Sequence, residues 1–153
     1  MLALYLHYEC NNRDSKEHPP NMSSIIPNRE AFQALMTDPD QGPVVMLNLL
    51  KFKAAADGAS GTGADAYRRY GDAVTKLVEA RGGRVLWMGR PAHVLVGEPS
   101  DQWDAVAIVQ YPTPRAFIEM VTSAEYQQIH GDREAGLERT ALIACRTLTD
   151  IPR

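Results

Sequence analysis

The stretch PVVMLNLLKF, residues 43–52, constrains the fold of this chain more than any other. It is almost continuously apolar and has the length of a β-strand that is buried on both faces. One amide, Asn48, lies in its middle, and one cation, Lys51, lies near its end. A buried amide without a partner costs about 1–3 kcal/mol. Asn48 is therefore expected either to bond to nearby backbone or to face a cavity.

One helix is predicted before this strand and one after it. Residues 28–37 have apolar side chains at helical spacing and form a short amphipathic helix. Residues 54–65 are small and rich in glycine, which indicates a loop or lid. Asp65 is expected to cap the helix that begins at Ala66, and Gly82-Gly83 to end it in a left-handed turn.

The remaining chain predicts three strands and two helices. Residues 84–96 form a strand interrupted by Gly and Pro, which makes a hairpin with a second buried strand at residues 103–111. Thr113 caps the next helix, and Thr122 with a glutamate three residues later indicates a capping box for a short helix. Residues 138–148 form the last strand.

This order predicts an α+β fold of the ferredoxin-like type. Strand, helix, strand, strand, helix and strand follow one another, which gives a four-stranded antiparallel sheet with helices on one face. The other face is apolar and needs cover, so two subunits are expected to pair through it. Residues 43–153 are predicted to be this domain, and residues 1–42 an N-terminal extension with the short helix.

The first residues allow two interpretations. Residues 1–21 are polar and rich in turn-forming residues after their start, and Met22 follows them. Either translation starts at Met22 and residues 1–21 are disordered or an upstream artefact, or they are a real extension whose residues 2–8 add an edge strand.

Composition excludes several classes of protein. The net charge of −3 argues against nucleic acid as the main partner, because neutralising phosphates needs a basic face. The apolar runs are shorter than a membrane span and no signal peptide is recognisable, so no membrane partner is predicted. The two cysteines, Cys10 and Cys145, indicate reduced thiols in a cytoplasmic protein. The histidines do not have metal-ligand spacing, so no metal site is predicted.

Four stretches carry a resemblance to a known family: EARGGRVL at 79–86, VLVGE at 94–98, VAIVQYPTPRAF at 106–117 and SAEYQQIHGDREAGLER at 123–139. Together they resemble the dimeric α/β-barrel superfamily and, within it, the domain-of-unknown-function family thirteen-thirty. The resemblance implies a homodimer whose sheets close into a barrel. It also implies a pocket in each subunit between the sheet and its own helices, and no settled reaction.

Eight residues are candidates for a site in that pocket. Asn48 and His130 are the candidate catalytic residues, because an amide and an imidazole supply hydrogen bonding and proton transfer. Arg133 is the candidate for holding an anionic group. The expected walls of the pocket are Tyr67, Tyr70, Phe117, Met120 and Tyr126. Each also has a structural interpretation: a satisfied amide, a packed histidine, core side chains, and an arginine in an intramolecular salt bridge.

Three functions remain open at this stage. The first is a cofactor-free oxygenase or isomerase that acts on a small aromatic or lactone-like molecule. The second is a haem-binding or haem-degrading monooxygenase-like protein: the small haem-degrading oxygenases are similar around AFIEMVTSAEYQQIH, with Asn48 and His130 at their pocket amide and iron ligand, but Met120 replaces a tryptophan. The third is a non-catalytic dimeric binding or stress-associated module.

A few other residues are given structural roles. Lys51 is expected at the dimer seam, and Trp87 and Trp103 in the core or the interface. Glu98, Asp101 and Asp104 are expected to form a solvated acidic hairpin tip.

Overall fold

Four helices and four strands make up the part of the chain that the computed structural model describes, which is residues 28–58, 60–98, 100 and 102–147. In chain order they are α1 (Arg29–Met36), β1 (Val44–Phe52), α2 (Gly63–Ala80), β2 (Arg84–Gly89), β3 (Ala105–Tyr111), α3 (Pro114–Val121), α4 (Ala124–Gly136) and β4 (Leu137–Cys145). The two interpretations of residues 1–21, Cys10 and Asp101 lie outside the described residues.

The strands form one antiparallel sheet in the order β2-β3-β1-β4. This order and the two β-α-β halves confirm the ferredoxin-like fold. β1 is a central strand, as its apolar run predicted, and it pairs with β3 on one side and β4 on the other. At its middle, Asn48 lies opposite Ala107 of β3 and Leu142 of β4.

The helices cover one face of the sheet, and the core lies between them. Alternation along β1 places Val44, Met46, Asn48 and Leu50 on this face, and all except Asn48 are fully buried. Two groups of buried side chains fill the space. The first cluster is Val44, Met46, Val78, Tyr111, Phe117 and Met120. The second cluster is Leu50, Tyr67, Tyr70, Ala105 and Leu137.

Helix α1 covers a flank of this core. Its Phe32 and Leu35 pack against the first cluster. The loop after it is held by Arg146, which follows β4 and donates to the carboxylate of Asp38 at 2.7 Å and to the carbonyl of Gly42 at 2.9 Å. The start of the described chain is thus joined to its last strand.

The opposite face of the sheet, called here the outer face, is apolar, and none of the described helices lies on it. Val45, Leu47 and Leu49 of β1 lie on it, and Leu47 is paired with Ile108 and Ile143. These side chains are only partly buried, and Ile143 and Trp87 are 45% and 53% exposed. Trp87, which was expected in the core or an interface, therefore does not belong to the core of one subunit.

Two helix starts differ from the prediction. Helix α2 begins at Gly63 and is capped by Thr62, whose hydroxyl accepts from the Asp65 backbone N–H at 3.1 Å. Asp65 completes a capping box by accepting from the Thr62 N–H at 3.0 Å, so it is the third residue of the helix and not its cap. Helix α4 is capped by Ser123, because the Thr122 hydroxyl already donates to the Ile118 carbonyl of α3.

The predicted hairpin is also shorter. β2 ends at Gly89, and residues 90–98 are not in the sheet. Pro91 has no N–H to donate to a ladder, which explains why pairing stops there. The apolar residues beyond it are therefore exposed, with Leu95 and Val96 at 90% and 97%. The last strand likewise ends at Cys145, before residue 148.

Asp104 was expected on a solvated tip, and that prediction is wrong. Its carboxylate accepts from the Phe52 backbone N–H at 2.8 Å and pairs with the Lys51 ammonium at 3.0 Å. Partial burial by itself raises the pKa of Asp104. The hydrogen bonds from Phe52 and Lys51 outweigh that effect, so the pKa lies below its ordinary value. Asp104 thereby accepts the backbone N–H of the last residue of β1.

This pair predicts a small pH dependence of stability. Because the pKa of Asp104 is lowered in the folded state, its contribution is present above the ordinary pKa of 3.8 and is lost as pH falls through the folded pKa. We expect Asp104→Asn to lower the free energy of unfolding by about 0.5–1 kcal/mol at neutral pH and to remove this part of the acid dependence. Urea unfolding across the acid range measures it, with the exposed Asp72→Asn as control. An equal loss at every pH would contradict the role of the charge.

Candidate functional site

Asn48 lies on the helix-covered face of β1 between the two clusters. Its Nδ2 donates to the backbone carbonyls of Met46 at 3.2 Å and Ala107 at 3.4 Å. Within the described residues no donor binds its Oδ1, and no fully buried side-chain oxygen there is without a partner. The Oδ1 is therefore reached by solvent, although Met46 and Leu50 on either side are 2% and 1% exposed.

Three tyrosines from two helices meet at the second cluster: Tyr67 and Tyr70 belong to it, and Tyr126 packs against it. The ring centroids of Tyr67 and Tyr70 on α2 lie 5.3 Å apart, and Tyr67 also contacts Phe52 of β1 at 5.4 Å. Tyr126 of α4 meets Tyr70 edge-on at 6.2 Å, and their hydroxyl oxygens are 3.3 Å apart. Tyr67, Tyr70 and Tyr126 are called here the tyrosine cluster.

The hydroxyls of Tyr67 and Tyr70 stay protonated at neutral pH. Burial raises the pKa of Tyr67 to about 12, although the positive charge of Arg133 opposes the rise. Burial also holds the pKa of Tyr70 well above its ordinary value, and the neighbouring Tyr126 adds to that effect. Both phenols are therefore hydrogen-bond donors under physiological conditions.

His130 lies one turn after Tyr126 on α4, and its ring stacks on that tyrosine with centroids 6.1 Å apart. Its Nδ1 is 3.1 Å from the Gln127 carbonyl, which can only accept, so in this bond Nδ1 carries the proton. The Nε2 is left as the acceptor of the neutral ring, and it lies 3.7 Å from the carboxylate of Glu134. The imidazole is 35% exposed, so it is at the rim and not in the core.

Arg133 follows His130 by three residues and Tyr126 by seven, so it lies on the same side of α4. Its side chain is half-buried. Its positive charge acts on both Tyr67 and Tyr70, since it lowers the pKa of each phenol. Arg133 therefore places a positive charge near the tyrosine cluster.

Phe117 and Met120, the two other expected wall residues, belong to the first cluster. Tyr111 meets the Phe117 ring at 5.3 Å and donates its hydroxyl to the sulfur of Met120 at 3.6 Å. Tyr126 packs against both clusters and so links these residues to the tyrosine cluster. Tyr111 was not predicted to lie near the site. Its position in the alternation along β3 nevertheless indicates that it faces the helices.

The segment predicted to be a loop or lid is attached to the end of α4. The Lys53 N–H donates to the Gly136 carbonyl at 2.9 Å, and the Asp57 N–H donates to the Ala135 carbonyl at 3.1 Å. Ala56 between them is buried. In the part of the chain that the structure describes, no group of three or more His, Cys, Asp or Glu residues has the arrangement of a metal site.

Comparison with known proteins gives matches to a family and to solved structures. The family described as "Domain of unknown function (DUF1330)" matches residues 60–146. The RPA0582 protein of unknown function from Rhodopseudomonas palustris is 33% identical, with a TM-score of 0.78 over 84% of this chain and 99% of that one. The methylated RPA0582 protein is 34% identical, with a TM-score of 0.78 over 84% of this chain and 98% of that one.

A third solved structure is more distant. It is a dabb family protein with a ferredoxin-like fold from Mesorhizobium loti, 14% identical, with a TM-score of 0.49 over 71% of this chain and 99% of that one. Comparison with curated proteins gives no match. Among the described residues, no helix has both the length and the apolar character needed to cross a membrane.

Proposed function

The chain belongs to the family described as "Domain of unknown function (DUF1330)", and on that premise we propose that it is a homodimer that binds a small hydrophobic molecule between its sheet and helices. The observation that supports this most directly is the Oδ1 of Asn48, which has no donor among the described residues and lies between the buried Met46 and Leu50 on the helix-covered face. A polar atom at the centre of an apolar wall suits a ligand that is mostly apolar and carries one polar group.

The surroundings favour a small aromatic or lactone-like compound. Aromatic rings line the second cluster, and such rings prefer flat partners in edge-on or offset contact. His130 has its Nε2 available as a proton acceptor, and the Glu134 carboxylate lies 3.7 Å from it. We therefore favour a cofactor-free oxygenase or isomerase in which His130 moves a proton and Asn48 orients the ligand.

Haem fits these residues poorly. The Nε2 of His130, which would have to bind the iron, is next to the Glu134 carboxylate. The side chains of Phe52, Tyr67 and Tyr70 are in ring contact, and Met120 is 2% exposed and held by Tyr111. A macrocycle would have to displace several of these contacts, so the function that we propose does not include haem.

The homodimer is proposed from the outer face. Its apolar side chains on β1, β3 and β4 are contiguous and uncovered in one subunit, which is unusual for a monomer. A second copy offers the same surface, so an isologous contact buries both at once. The proposed pocket lies on the other side of the sheet and stays available in such a dimer.

Calorimetric titration with 2-naphthol, a flat molecule with one hydroxyl, tests the pocket. We expect saturable binding to the wild type and about tenfold weaker binding to Asn48→Leu, because one ligand hydrogen bond is lost while the volume is kept. Gln33→Leu makes the same kind of replacement on exposed α1 and should bind like the wild type. No binding to the wild type would instead favour the non-catalytic module with a filled pocket.

A further inference from the structure

The hydroxyls of the tyrosine cluster have protons that no acceptor among the described residues receives. The hydroxyls of Tyr70 and Tyr126 are 3.3 Å apart and share one hydrogen bond, in which either is the donor. Whichever hydroxyl donates, the proton of the other is left for a third group. Among the described residues neither hydroxyl has another partner. The pair therefore presents one hydroxyl hydrogen to the space around it.

The hydroxyl of Tyr67 presents a second hydrogen that has no acceptor among the described residues. No hydrogen bond to this hydroxyl occurs within the described part of the chain, and no fully buried side-chain oxygen there lacks a partner. Although the residue is only 9% exposed, its hydroxyl oxygen is therefore reached by solvent. Tyr67 belongs to the second cluster, where Tyr70 and Phe52 contact its ring.

The charge near the tyrosine cluster is positive, which suits a ligand with a negatively charged oxygen. Arg133 places a positive charge near Tyr67 and Tyr70. The phenols themselves remain neutral at physiological pH, so they do not cancel it. Among the other described ionisable groups near α4, His130 and Glu134 face each other at the rim. The Lys53 ammonium donates to the Glu134 carbonyl at 3.1 Å and pairs with Asp57. Asp132 is paired with Arg69 at 2.8 Å.

We propose that the tyrosine cluster binds the oxygen of its ligand as an anion, that is, as the phenolate or enolate of a flat molecule. Neutral hydroxyl donors and a fixed positive charge in a largely apolar site stabilise a negative oxygen more than a neutral one. A ligand that is a weak acid in water therefore becomes a stronger acid when it is bound. This inference rests on the proposed pocket and adds which form of the ligand the pocket selects.

The probe for this proposal is 4-nitrophenol, because its phenolate absorbs in the visible range and its neutral form does not. Titrating the probe with pH in excess wild-type protein is expected to move its ionisation midpoint to lower pH by about one unit, a tenfold preference for the phenolate. The absorbance belongs to the probe, so it reports the ionisation of the probe directly.

Tyrosine-to-phenylalanine variants identify the donors while keeping every ring. Tyr67→Phe is expected to reduce the shift. Tyr70→Phe and Tyr126→Phe singly should keep most of it, because the remaining hydroxyl still has a proton to donate, whereas the double variant should lose the part of the shift that this pair contributes. Tyr111→Phe is the matched control in the first cluster and should keep the full shift. Thermal unfolding of each variant confirms that it is folded.

The outcomes separate the two proposals. Binding of 4-nitrophenol, displaced by 2-naphthol, with a midpoint that moves to lower pH supports this inference. Binding with an unchanged or higher midpoint overturns it and leaves the proposed pocket standing. A shift that survives both Tyr67→Phe and the double variant overturns the assignment to these hydroxyls. Absence of binding to the wild type overturns the proposed pocket and this inference with it.

Discussion

Replacing Gly63 by alanine is expected to lower the free energy of unfolding by about 3 kcal/mol. A Cβ at this first residue of α2 would overlap the backbone carbonyls of Gly136 and Lys53 and the backbone nitrogen of Lys53. These are main-chain atoms, and they also form the hydrogen bonds from Gly63 to Lys53 and from Lys53 to Gly136. The clash therefore cannot be relieved by turning a side chain, and the contact between α2 and α4 has to open.

Gly71→Ala is the matched control in the same helix. A Cβ there has open space around it, and alanine is favoured over glycine in a helix interior. We expect this variant to gain about 0.5–1 kcal/mol. Urea unfolding followed by circular dichroism compares the two with the wild type. Equal stability of Gly63→Ala and wild type would show that the two backbones do not approach as closely as the structure has them.

Leu47→Asp is expected to convert the proposed homodimer into a monomer. Leu47 is at the middle of β1 on the outer face, between Ile108 and Ile143. If a second copy covers this face, two unpaired carboxylates become buried at its centre, which costs several kcal/mol. We expect the dimer dissociation constant to rise by about a hundredfold or more, since each 1.4 kcal/mol is tenfold.

Analytical ultracentrifugation across a range of concentrations measures this effect. The wild type should sediment with the mass of two subunits, and Leu47→Asp with the mass of one. Ala34→Asp adds the same charge on exposed α1 and should remain dimeric. The helix-covered core does not include Leu47, so the variant should keep its helical circular dichroism. A wild type with the mass of one subunit would refute the proposed pairing.

Much of the fold was predictable because its signals are local. The apolar run of β1, the capping residue Thr113 and the left-handed Gly82 each depend on neighbours within a few positions. The errors arose where two local signals compete. Thr62 and Asp65 are both good caps, and only the reciprocal bonds show which residue starts the helix. Residues 90–98 are apolar enough for a strand, but Pro91 removes a donor there.

The site was less accessible to prediction, because its contacts join distant positions. The sequence predicted that Asn48 is a buried polar group, but its partner Ala107 is 59 positions away. The hydroxyl contact between Tyr70 and Tyr126 spans 56 positions. Helical spacing indicated which face each tyrosine occupies, but not that the two faces meet. Asp104 was misplaced for the same reason: nothing near it in the chain indicates Lys51 as a partner.

The strand order has a consequence for synthesis. β1 leaves the ribosome first among the four strands, but it is central in the finished sheet and pairs with β3 and β4. One of its edges has no partner until residue 111 has been made, and the other until residue 145. During that interval this largely apolar strand has two unpaired edges, the condition under which nascent chains aggregate. Recovery of soluble protein should therefore depend more on β1 than its share of the native surface suggests.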